Sequence, residues 1–367
     1  MTIDDFAGRI SRRIAAEGPM SVAAFMAMAL HDPTSGYYAG RRPIGAAGDF
    51  TTAPEISQIF GELVGLWCAL AWDEIGRPDP VVLAELGPGR GVMAEDLLRA
   101  AAVVPEFRRA LRLCLVETSP LLRAEQERRL AWAEPIWLER ADQLPRGPML
   151  LVANEFLDAL PIRQFVRKES GWAERLVALD RAGRLAFADG PPSAAAALLV
   201  PERLRRSAPG ALVEFCPAAL ALAAFLGRRF TREPGAALFV DYGHCGEVPG
   251  STLRALRRHR PASVLSRLGT ADLSADVDFA AVAAAACAAG AEVHGPVAQG
   301  RFLAALGAAA RCEMLCARAS PAQRDAIERG VARLVDPAAM GERWKAMAVL
   351  APGLDAPAGF GGPEPER

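Results

Sequence analysis

Residues 81–100 read VVLAELGPGRGVMAEDLLRA: a short apolar strand, a glycine-rich turn and the start of a helix. Several nucleotide-binding folds open this way, and glycines let a ligand approach the backbone closely. The loop Glu85-Leu86-Gly87-Pro88-Gly89-Arg90-Gly91 is a G-x-G-x-G, not the G-x-G-x-x-G of dinucleotide folds. Two of its residues oppose a pyrophosphate. At about 5 Å and an effective dielectric near 20, the Glu85 carboxylate repels each phosphate charge by roughly 3 kcal/mol, about two orders of magnitude in affinity. Pro88 removes a backbone N–H that a phosphate would use. S-adenosylmethionine, with an ammonium, a sulfonium and no phosphate, fits better.

The next apolar strand, LRLCLVE at 111–117, ends in Glu117, an acid placed to accept from both ribose hydroxyls. Asp142 precedes the following strand and is placed to face the adenine amine. MLLVANE (149–155) and AALFVDYG (236–243) complete a rhythm of near-continuous apolar strands, which argues for a parallel sheet covered on both faces. Their ends carry Asn154 and Glu155, with Asp158 one turn later, and Asp241, Tyr242 and His244. Open α/β sheets bind ligands at this carboxyl end. His244 is a candidate proton acceptor. Glu125 and Arg129, four apart on the helix after Glu117, read as a solvated face.

Outside this core, residues 1–76 form a helical extension: Ser21 is placed to cap VAAFMAMAL, and Pro54 opens one helix from PEISQ to DEIG. Ile56, Ile59, Phe60, Leu63, Trp67 and Leu70 make its buried stripe. The core itself occupies 77–161 and 211–350, with a long connection at 247–279. Short strands and an alanine-rich stretch at 162–210 read as an inserted substrate region, and 351–367 as a mobile tail. The run RALRRHR (254–260) reads as a solvated helix face.

Of the 367 residues 51% are hydrophobic and 23% charged, the profile of a globular chain; a net charge of −1 leaves no basic footprint for nucleic acid. Seven scattered cysteines lack a C-x-x-C pair, so neither a metal site nor a disulfide framework is expected. No apolar run approaches the roughly 18 residues of a membrane span. Asp4 and Asp5 stand where a signal peptide carries positive charge, so the expected location is cytoplasmic.

Taken together, HDPTSGYYAG, GDFTTAPEISQIFGEL, AELGPGRG, NEFLDALP, VDYGH and GTADLSADVDF make the chain resemble the MidA-like methyltransferases, over most of its length. That family includes the mitochondrial respiratory complex I assembly factor that methylates an arginine. The resemblance implies a class I, Rossmann-like α/β methyltransferase with a seven-stranded sheet, its last, antiparallel strand near EVHGPVAQ. It also implies a protein substrate, an arginine on a complex I subunit; among the strand-end acids Glu155 is then favoured to hold the acceptor guanidinium, the alternative being that Glu155 or Asp158 only caps the following helix. Asp49, Phe50, Thr51 and Thr52 resemble the family's block near the cofactor and read as a lid. Leu268-Gly269 departs from the family pattern, which favours proline before the glycine. The rival readings are a nucleotide-dependent oxidoreductase, opposed by Glu85 and Pro88, and a non-catalytic assembly chaperone, opposed by the intact loop and both acids.

Overall fold

A computed structural model describes residues 3–39, 51–246 and 250–361. The chain divides into two compact units: one takes Met1–Phe50, Asp158–Ala219 and Gly246–Asp278, the other Thr51–Leu157, Leu220–Cys245 and Phe279–Arg367.

The second unit is built on strands β1 (Val81–Leu86), β2 (Leu111–Val116), β3 (Ile136–Leu138), β4 (Met149–Asn154), β5 (Gly235–His244), β6 (Glu292–Ala298) and β7 (Trp344–Leu350). They run in the order β6-β7-β5-β4-β1-β2-β3. The whole sheet counts eight strands, against the seven expected. β3, β2, β1, β4 and β5 pair in parallel, while β7 is antiparallel to both of its neighbours. The antiparallel strand is therefore WKAMAVL. EVHGPVAQ, expected to hold that role, forms edge strand β6, which as the second neighbour of β7 runs parallel to β5.

Every residue of β1 and β4 is buried, as strands covered on both faces must be. One cover is the helix Gln58–Glu74, whose Phe60, Leu63, Val64, Trp67 and Cys68 join Leu97 and Leu98 of the helix Val92–Ala101 in the main core. The single helix expected from Pro54 is broken. Ser57 ends a short turn Ala53–Ile56 and its hydroxyl caps the helix that follows, accepting from Ile59 N at 3.3 Å. The break takes Ile56 out of the stripe; within the unbroken helix that follows, Leu70 lies at the edge of the buried face and is 41% exposed.

In the first unit an antiparallel sheet orders Met20–Ser21, Gly171–Leu179, Arg163–Lys168 and Leu212–Phe215, with Leu185–Asp189 joined to Gly171–Leu179. Phe6, Ile10 and Ile14, spaced four apart, bury one stripe of the helix Ile3–Glu17 against Val22, Phe25 and Met26 of Val22–His31. Ser21 caps the latter, accepting from Ala24 N at 3.1 Å. RALRRHR is no helix: Arg254–Arg257 and Arg260–Ala262 form a hairpin whose turn residues, Arg258 and His259, both take positive φ. Among the described residues no helix is long and apolar enough to cross a membrane.

Candidate active site

At the carboxyl end of β1 the chain turns through Gly87, Gly89 and Gly91, all with positive φ (62°, 53° and 76°). Two of the glycines are also crowded by neighbouring side chains. A Cβ on Gly87 would stand 2.9 Å from the Phe156 ring, and one on Gly91 would stand 3.1 Å from Leu130 Cδ1. Gly91 is the left-handed N-cap of Val92–Ala101, and its N–H donates to Pro88 O at 2.8 Å, closing the turn.

Parallel register fixes which side chains share a face. Glu85 lies opposite Leu115 and Val152, so Glu117 and Asn154, each two residues further along its strand, project on the face that Glu85 uses. All three are buried. Among the described residues, Glu85 Oε2 and Asn154 Oδ1 have no hydrogen-bond donor, a costly state for two buried acceptors. Burial, with the Glu117 charge beside it, raises the Glu85 pKa from 4.5 to about 8. Burial raises Glu117 as well, offset by donation from Ser119 N (2.8 Å), Thr118 N and Gln126 Nε2 (3.3 Å). Glu85 is thus not the standing negative charge assumed from sequence. Near neutral pH its carboxyl holds a proton, and only a cation beside it restores the charge.

The helix Pro120–Leu130 grips the loop. Gln126, fully buried, donates to Gly89 O at 2.7 Å; Arg129 Nε donates to Arg90 O at 3.1 Å; Glu125 accepts from Arg90 Nε at 3.1 Å. Arg90 also reaches Glu55 at 3.1 Å, tying the Ala53–Ile56 turn to the loop. Glu125 and Arg129 are therefore loop contacts and not the solvated face expected of them, because the loop lies against the side of the helix they occupy. Sequence reasoning also passed over Gln126. Its signal was spacing: Leu122, Gln126 and Leu130 recur every four residues, and the middle one of such a stripe is buried whatever its polarity.

Asp142 sits on the Ala141–Gln143 turn, exposed and paired with Arg140 at 2.9 Å, which lowers its pKa. Glu155 follows β4 with φ 47°, a left-handed value uncommon for a long side chain, and its Oε1 accepts from Ala53 N at 3.2 Å. Asp241, 1% exposed, accepts from Phe156 N (3.1 Å) and Leu157 N (2.9 Å) at one oxygen and from Tyr242 N (2.9 Å) at the other. His244 ends β5, half-buried. Thr51 and Thr52 lead into the Ala53–Ile56 turn, with Thr52 O accepting from Glu55 N at 3.0 Å. Asp49 and Phe50 lie outside the described residues. Asp158 belongs to the first unit, where its carbonyl accepts from Ala275 N at 3.0 Å. In that unit burial, then the charges of Asp272 and Asp158, push the Tyr38 phenol pKa up.

A family model for S-adenosyl-L-methionine-dependent methyltransferases matches residues 63–297. The chain belongs to that family. Among relatives of this methyltransferase, the zebrafish (Danio rerio) protein named protein arginine methyltransferase NDUFAF7, mitochondrial, is 37% identical over 93% of this chain and 86% of its own length. The Drosophila melanogaster homolog is 36% identical over 95% and 85%, and the human protein 34% over 92% and 81%. A crystal structure from Burkholderia thailandensis, bound to S-adenosyl-homocysteine, superposes with a TM-score of 0.82 at 29% identity, covering 98% of this chain and 94% of that one. The methyltransferase uses S-adenosylmethionine as its cofactor. The expectation of a cytoplasmic protein is overturned, since the relatives are named as mitochondrial. Unpaired cysteines report redox conditions and do not separate one reducing compartment from another.

The residues fit that cofactor: a face with two buried, donorless acceptors suits a ligand that is cationic and brings donors. A pH dependence follows. With its folded pKa raised from 4.5 to about 8, Glu85 favours folding fully below the unfolded value, and this contribution is lost as pH rises through about 8. A cation bound beside it reverses the preference. S-adenosylmethionine binding near neutral pH is expected to release close to one proton, and to release none well above pH 8. Calorimetry in buffers of differing ionisation enthalpy measures this, and buffer-independent heats at neutral pH would refute it.

Proposed function

We propose that this chain transfers methyl groups from S-adenosylmethionine to an arginine of a protein, and that the protein is a respiratory complex I subunit met during assembly. The observation that carries the reading is the run of relatives named protein arginine methyltransferase, 34–37% identical over more than nine-tenths of this chain. The site supports it chemically. An arginine acceptor arrives as a cation, so a carboxylate is the group that binds and localises its charge.

When bound, the cofactor supplies an electrophilic methyl group on sulfur. The chain's own residues do the rest. Gly87, Gly89 and Gly91 let it approach the backbone, Glu117 accepts from the ribose, Glu85 and Asn154 face its cationic end, and Asp142 lies on the adenine side. Glu155 holds the guanidinium, on a backbone kept left-handed by the turn that Asp241 ties down. Strain of this kind collects at functional sites. His244 is the candidate for taking up the proton that the methylated guanidinium releases.

The test is mass spectrometry of complex I subunits from cells with and without this protein. Methyl-arginine lost from one subunit, and restored by the purified enzyme with S-adenosylmethionine, is the expected result. Methylation confined to lysine, glutamine or a small molecule overturns the substrate.

A further inference from the structure

We infer that Gln126 is a positioning residue for the cofactor's ribose: its side-chain amide joins the Glu117 carboxylate to the Gly89 carbonyl and fixes both in one orientation. The inference rests on the reading of Glu117 as the ribose partner.

Gln126 is 0% exposed, and each end of its amide is engaged. Trp137 Nε1 donates to Gln126 Oε1 at 2.9 Å, while Gln126 Nε2 donates to Gly89 O at 2.7 Å and to Glu117 Oε2 at 3.3 Å. The orientation of this amide is not arbitrary. An indole N–H is a donor only, so the atom facing it must be the amide oxygen; the NH₂ then faces two acceptors, its only workable arrangement. Trp137 thus sets the amide, and the amide sets the carboxylate. The second oxygen of Glu117 is held by Ser119 N at 2.8 Å, so the carboxylate is restrained at both ends. Gln126 also favours the charged form of Glu117 against the pull of burial, keeping it an acceptor for hydroxyl groups.

Gln126→Leu keeps the bulk of the side chain and removes both donors. Trp137→Phe keeps an aromatic ring but removes the indole N–H that holds the amide oxygen. Calorimetric titration compares S-adenosylhomocysteine with its 2′,3′-dideoxy analogue on wild type and both variants. Sites built to hydrogen-bond a hydroxyl reject analogues lacking it, so wild type is expected to prefer the natural ligand by about 30-fold or more. Gln126→Leu is expected to lose roughly tenfold of that preference by weakening the natural ligand about tenfold more than the analogue, with Trp137→Phe in between. At saturating S-adenosylmethionine, kcat should stay within about twofold while KM for the cofactor rises. Equal weakening of both ligands in Gln126→Leu would show mere structural support and overturn the inference. No preference in wild type would instead overturn the Glu117 reading beneath it. If Gln126→Leu does not fold, Trp137→Phe decides: a preference equal to that of wild type sinks the inference.

Discussion

Glu155→Gln is expected to slow methyl transfer about 100-fold or more, roughly 2.7 kcal/mol of barrier, while leaving S-adenosylhomocysteine affinity within about twofold. Glutamine keeps an acceptor for Ala53 N, so the contact between the Ala53–Ile56 turn and the end of β4 survives. What disappears is the negative charge that the acceptor cation meets. An interaction made with the acceptor and the transition state, and not with the cofactor, lowers turnover without weakening cofactor binding. Single-turnover rates on the methylated subunit, set beside a calorimetric titration, separate the two effects. Full activity in the variant removes Glu155 from the chemistry, and a parallel loss of cofactor affinity assigns it to the wrong ligand.

Asp241→Ala acts on stability. Three backbone N–H groups, of Phe156, Leu157 and Tyr242, converge on this one carboxylate. Each buried donor left without an acceptor costs about 1–3 kcal/mol, so the variant is expected to lose on the order of 3–9 kcal/mol, a large part of the roughly 5–15 kcal/mol that holds a native protein together. Asp241→Asn offers one acceptor but turns an NH₂ toward amides that need an oxygen, and should fall between. Urea denaturation reads the difference as a shifted midpoint. An unshifted midpoint in Asp241→Ala would mean that the turn after β4 is held by something else.

The strands that shape this site were legible in the sequence because each is a continuous apolar run ending in a polar residue, and those ends are where the site lies. Orientation was not legible. WKAMAVL and EVHGPVAQ are both strands, but hydropathy carries no sign of direction; only the pairing shows which one is antiparallel to both neighbours and which is the half-buried, bulged edge. At the site, Glu85 and Glu117 were readable because loop and strand are contiguous. The grip from Glu125, Gln126 and Arg129 was not, since it depends on which side of a distant helix meets the loop. The charge state of Glu85 was hidden for a different reason: it is set by burial and by Glu117 across the sheet, neither of which sequence spacing states.

The helix Pro120–Leu130 buries only Leu122, Gln126 and Leu130, and the middle contact is polar. Two leucines hold little against the cost of ordering a segment, so this helix depends on polar tethers: those to Gly89 and Arg90, the Arg129–Glu95 pair, and the bonds from Arg123 to the Glu117 and Leu138 carbonyls. Helix and glycine loop are therefore coupled, since opening the helix breaks the bonds that hold the loop carbonyls. A ligand that orders the loop is therefore expected to extend hydrogen-exchange protection into the helix.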